Sequence, residues 1–135
     1  MNKENLYEKV ASFIKAHGKT SVRTDEFRGK LTSFVKYEIS ITHSPFGDVN
    51  VVTKDGTVPT TVKKELLYCS QHIRFSTIVP LSKITLEIDT DDEYETMSFY
   101  GDTEVPLCNL WKKDLSRVSD DRLADLVEVF DSISA

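Results

Sequence analysis

The sequence predicts an α+β fold: a two-layer sandwich with a mainly antiparallel sheet of about five strands, covered by N- and C-terminal amphipathic helices. Three observations carry this. Apolar residues recur with helical spacing near both ends of the chain, they alternate with polar residues through the middle, and the alternating runs are joined by turns too short to hold crossover helices.

Leu6, Val10, Phe13 and Ile14 stand at i, i+4, i+7 and i+8, with Glu8, Lys9, Ser12 and Lys15 elsewhere on the wheel, so a helix is expected from about Glu4 to His17. Gly18 follows where a left-handed cap residue ends a helix, and Lys15 and His17 suit the negative end of its dipole. The stretch from Lys19 to Lys30 is polar and irregular. Val35, Tyr37, Ile39 and Ile41 then alternate with Lys36, Glu38, Ser40 and Thr42, the pattern of a half-buried strand. A turn at Ser44 to Asp48 leads to Val49 and Val51, and Asp55-Gly56 signals the next turn.

Thr57 to Gln71 reads two ways. Val62, Leu66 and Leu67 have helical spacing, which favours a short helix, while Leu66-Leu67-Tyr68-Cys69 also suits a buried strand. Ile73, Phe75, Thr77 and Val79 alternate again up to Pro80, and Ile84, Leu86 and Ile88 alternate with Thr85, Glu87 and Asp89. After a polar tip, Met97 and Phe99 face the core on a returning strand, and Leu110, Trp111 and Leu115 suggest a short helical segment with Trp111 in the core. Ser119 is an N-cap, Asp120 and Asp121 fill the first turn, and Leu123, Leu126, Val127, Phe130 and Ile133 form the stripe of a final helix. The six-residue echo between Val79-Ile84 and Val105-Leu110 is too short to be a structural repeat.

At 135 residues the chain reads as one domain, 1–135, large enough to bury its own core. It has neither the apolar stretch of a secretory signal nor a run long enough to span a bilayer. Cys69 and Cys108, far apart and without a CxxC spacing, read as reduced thiols, and the expected setting is the cytoplasm. The net charge of −5 is unevenly spread. Residues 1–83 carry 13 Lys and Arg against 8 Asp and Glu, whereas residues 84–135 carry 4 against 14.

No phosphate-binding glycine loop, dinucleotide fingerprint, zinc-peptidase helix or nucleophile elbow is present, so no cofactor is expected. Asp89, Asp91, Asp92, Glu93 and Glu95 crowd into seven residues, a density that can bind divalent cations. The calcium-loop pattern fails, because Tyr94 stands where glycine is required and Tyr100 where the bidentate glutamate belongs, so no metal site is assigned. His17, His43 and His72 are scattered, and Cys69 with His72 is a poor dyad because residues three apart on a strand point to opposite faces. Lys19, Arg23, Arg28, Lys30 and Lys36, with Phe27 and Phe34 between them, could contact nucleic acid, but Asp25, Glu26 and the overall acidity oppose it.

The expected function is therefore that of a non-enzymatic protein-interaction module, an accessory, adaptor or inhibitor protein. Its partner-binding residues are Asp89, Asp91, Asp92, Glu93, Asp120, Asp121, Asp125 and Glu128, and its partner is a protein with a basic surface. The alternatives are a small enzyme using the Asp89–Glu95 carboxylates, with a divalent metal as one form of it, and a nucleic-acid-binding domain using the basic early segment.

Overall fold

The computed structural model describes residues 2–27, 29–43, 49–62, 83–91, 94–101 and 106–134. It is the expected α+β arrangement, an antiparallel sheet with one helix from each end of the chain, and it has seven described strands rather than about five. The order is α1 (Lys3–His17), β1 (Lys19–Phe27), β2 (Lys30–His43), β3 (Val49–Thr53), β4 (Gly56–Pro59), β5 (Lys83–Thr90), β6 (Glu95–Tyr100), β7 (Pro106–Trp111) and α2 (Asp120–Ser134). The sheet runs β4-β3-β2-β5-β6-β7, and every described pair is antiparallel. β2 is long enough to share one edge between two neighbours: β1 pairs along Lys30 to Glu38 and β3 along Ser40 to His43.

Alternation decides which face is covered. Ile39, Ile41, Val49, Val51, Ile84, Leu86, Ile88, Met97, Phe99 and Leu110 lie on one face and are buried. α1 lays Leu6, Tyr7, Val10, Ala11 and Ile14 on that face, and α2 adds Leu123, Leu126, Val129 and Phe130. Each of the Val, Leu, Ile, Phe and Met side chains among them contributes roughly 1.5–3 kcal/mol by leaving water. The helices run side by side in the same direction, with Lys3 3.5 Å from Asp120 near their starts and the Phe13 and Phe130 rings stacked at 4.2 Å further along.

Both terminal helices are capped, one as expected and one not. The Ser119 hydroxyl accepts from the Arg122 amide at 3.2 Å, which confirms the N-cap of α2. At the start of α1 the Asn2 side chain plays this part, accepting from the Asn5 amide at 2.8 Å. Gly18 corrects the expectation of a left-handed cap: its backbone is extended, at φ −76° and ψ 157°. Glycine is required there for space, since a Cβ would stand 2.5 Å from the Ile14 carbonyl oxygen and 3.0 Å from that of Glu38. Both obstacles are backbone, so Gly18→Ala should cost about 1–3 kcal/mol of stability, as overpacking does. Urea denaturation checks this, and an unchanged midpoint would mean that α1 shifts freely against β2.

Three further expectations change. The polar stretch after Gly18 is the nine-residue strand β1, its side chains from Lys19 to Glu26 exposed and β2 its only partner among the described residues. Thr57 belongs to the short strand β4, and Val62 packs partly buried against the core, while Leu66, Leu67 and the strand expected at Ile73–Val79 lie outside the described residues. Leu110 and Trp111 belong to strand β7 rather than to a helical segment, because pairing with Met97 and Thr96 sets them on opposite faces. Leu110 is buried and Trp111 is 46% exposed, so Trp111 is not a core residue.

Candidate functional site

The acidic run from Asp89 to Glu95 is one cluster in sequence but is divided in space. Asp89 pairs across from Lys36 and Thr96 on the outer, helix-free face of the sheet, where Arg23 lies 3.7 Å from its carboxylate. Asp91 sits in the β5–β6 turn: its carboxylate accepts from the Tyr94 amide at 2.7 Å, and its own amide donates to the Tyr94 carbonyl at 2.9 Å. Glu95 turns to the opposite face and is buried beneath α1. Asp92 and Glu93 lie outside the described residues. Among the described residues no three His, Cys, Asp or Glu side chains converge as metal ligands would.

Glu95 is the most constrained carboxylate of the three. Its Oε2 accepts from the Tyr7 hydroxyl at 2.7 Å, and Oε1 forms an ion pair with Lys15. Tyr7 and Lys15 are eight residues apart on α1, with Ala11 between them on the same side of the helix. Burial alone raises the Glu95 pKa, but the bonds from Lys15 and Tyr7 and the nearby Lys112 outweigh it and hold the carboxyl below its ordinary value. Burial and the Glu95 carboxylate push the Tyr7 phenol well above its usual range. Composition alone gave no sign of this buried knot, which depends on a hairpin register that pairs Thr90 with Glu95.

Two basic residues of the early segment, Lys36 and Arg23, are paired with carboxylates. On the outer face Lys36 bonds Glu87 at 3.0 Å, and that bond, more than the burial opposing it, raises the lysine pKa. Arg23 bridges Asp25 at 3.2 Å and Asp89, and its guanidinium lies 4.8 Å from the centre of the Phe34 ring. This face is a ladder of alternating charge across β1, β2 and β5. Its half-exposed pairs each contribute about 0–1 kcal/mol.

The acidic residues of α2 do share one face. Asp121, Asp125, Glu128 and Asp131 stand at i, i+4, i+7 and i+10, opposite the buried stripe of Arg122, Leu123, Leu126, Val129 and Phe130. Asp121, Glu128 and Asp131 are exposed and Asp125 is half-buried. Asp120, at the start of the helix, is engaged by Lys3. The last turn contains no basic residue to meet the negative end of the helix dipole. Arg122 was hidden from sequence reasoning: it is a cation within the buried stripe, only 2% exposed.

Cys108 is a buried thiol whose pKa burial raises, with its sulfur 3.8 Å from the Arg117 carbonyl; Cys69 and His72 lie outside the described residues. No helix among the described residues is long and apolar enough to cross a membrane. Comparison with protein-family models, with curated proteins and with solved structures gives no match in any of the three.

Proposed function

We propose that this chain is a non-enzymatic protein-interaction module, acting as one domain, whose α2 helix offers an acidic ridge to a protein with a basic surface. The observation that carries this reading is the alignment of Asp121, Asp125, Glu128 and Asp131 on the solvent side of α2. Their spacing of three and four residues concentrates negative charge along one side of the helix. A cationic surface laid along it gains association rate from long-range attraction.

The rival enzyme reading draws on the Asp89–Glu95 carboxylates; Asp89 and Glu95 lie on opposite faces of the sheet, which weighs against a site shared by the two, while Asp92 and Glu93 lie outside the described residues. The rival nucleic-acid reading needs free cations, and the pairing of Arg23 and Lys36 with carboxylates weighs against it. Cys108, a buried free thiol, supports a reducing, cytoplasmic setting.

A fluorescein-labelled peptide of alternating lysine and alanine is a suitable probe. Its affinity should fall roughly tenfold or more between low and physiological salt, and by a similar factor when Asp121, Asp125 and Glu128 are together replaced by lysine. Anisotropy titrations read both effects, with circular dichroism to confirm that the variant keeps its helices. Binding that ignores salt, or survives the triple charge reversal, removes this reading.

A further inference from the structure

β1 is an edge strand: β2 lies on one side of it, and no described element pairs with the other. Its backbone geometry shows which groups that open edge offers. Phe27 pairs with Lys30 across a two-residue connection with Gly29 at φ 75°, and the pair that closes a two-residue hairpin is a bonded one. Bonded and non-bonded pairs then alternate, so Lys19, Ser21, Arg23 and Asp25 bond to β2, while Thr20, Val22, Thr24 and Glu26 aim their N–H and C=O groups outward. The Glu38 backbone agrees, its nitrogen and oxygen both lying towards the Gly18–Lys19 end of β1. All the side chains from Lys19 to Glu26 are exposed, and Val22, at 68%, lies on the helix-bearing side beyond the cover of the helices.

We propose that β1 is a self-association edge, pairing antiparallel with β1 of a second copy about a two-fold axis through Val22. This register sets Val22 against Val22 in the central bonded pair and Thr20 against Thr24 on either side, giving about six interchain hydrogen bonds. On the other face Lys19 stands opposite Asp25 at both ends, and Ser21 stands opposite Arg23. The strand is thus charge-complementary to its own reverse.

Neighbouring registers are poorer. Centring on Arg23 sets arginine against arginine, and centring on Thr24 sets Val22 against Glu26. The charges that would discourage indiscriminate edge pairing therefore select one alignment. The pairing uses neither α2 nor its acidic ridge, so it stands apart from the function proposed above. A single strand pair buries less than a standard interface, so the dimer should be weak and concentration-dependent.

Sedimentation velocity of the full chain from roughly 5 to 500 µM, the range in which such small interfaces form, should show the mass rising from 15.3 kDa towards twice that value. Val22→Lys sets two cations face to face at the axis, at a position already in water in the monomer, and should weaken the dimer at least ~10-fold. Asp25→Lys should weaken it by a factor of ~3–10 and Lys19→Asp/Asp25→Lys should restore it, since the end pairs are rebuilt with reversed sign. Thermal melts confirm that each variant is folded; if Asp25→Lys is not, because it also contacts Arg23, Val22→Lys decides alone. A chain that stays monomeric at the highest concentration overturns the proposal. So does a dimer that Val22→Lys leaves unchanged, and a double variant that fails to recover overturns the register.

Discussion

Phe99→Ala should lower the free energy of unfolding by about 3–5 kcal/mol, among the largest effects any single substitution will have here. Phe99 is fully buried in β6, between Leu86 of β5 and Cys108 of β7, with the helices above it. Hydrogen-bonded strands on both sides hold the backbone apart, so the cavity left by the ring cannot collapse, and the loss of transfer energy is joined by the loss of packing contacts. Urea denaturation followed by far-ultraviolet circular dichroism measures the difference. Leu31→Ala is the matched control: Leu31 is 70% exposed, and its truncation should change stability by less than about 0.5 kcal/mol. Comparable losses at both positions would contradict the layer assignment.

Glu95→Ala should cost about 1.5–3 kcal/mol, the range for a hydrogen bond to a charged group whose partner is left buried. Tyr7 is the partner that suffers: it is 1% exposed, so its hydroxyl cannot turn to water when the carboxylate is removed. Lys15 is about one-third exposed and can rehydrate, which keeps the cost below that of breaking a fully buried ion pair. Tyr7→Phe should be similarly harmful, and the Tyr7→Phe/Glu95→Ala double variant should cost less than the two single changes added, because both remove the same bond.

The same carboxylate makes stability depend on pH. Its pKa in the folded protein lies below the ordinary glutamate value of 4.5, so the unfolded chain takes up the proton first as pH falls. The stabilisation is fully present above that ordinary value and is lost as pH falls through the lower folded value. Wild-type protein should therefore lose stability on the acid side faster than Glu95→Gln, whose side chain does not titrate. Thermal melts between roughly pH 3 and 7 compare the two, and parallel acid limbs would show that the carboxylate is not held as charged as its contacts require.

How much of this was legible depended on whether a residue's surroundings are local. α1 and α2 follow from spacing alone, because one turn of helix defines its own neighbours and the buried stripe must recur every three to four residues. The acidic ridge of α2 was legible for the same reason. β2, β5 and β6 were legible because one covered face forces alternation. β1 left no such pattern: its side chains from Lys19 to Glu26 are exposed, so nothing constrains Thr20 to differ in kind from Ser21. Leu110, Trp111 and Leu115 have spacing that a helix would also produce, and only the ladder to Met97 and Thr96 separates them.

The sequence by itself determined the class of fold, the two helical ends, the strands with one buried face and the placing of acidic residues along α2. Each of these is a periodic property of a short segment. Only the tertiary structure decided that Asp89 meets Arg23 on one face while Glu95 meets Tyr7 and Lys15 on the other, that Trp111 faces water, and that β1 has β2 as its only partner among the described residues. These depend on which strand lies beside which, and in what register. A shift of one residue reverses every face, and the energies that choose the register come from partners tens of residues away.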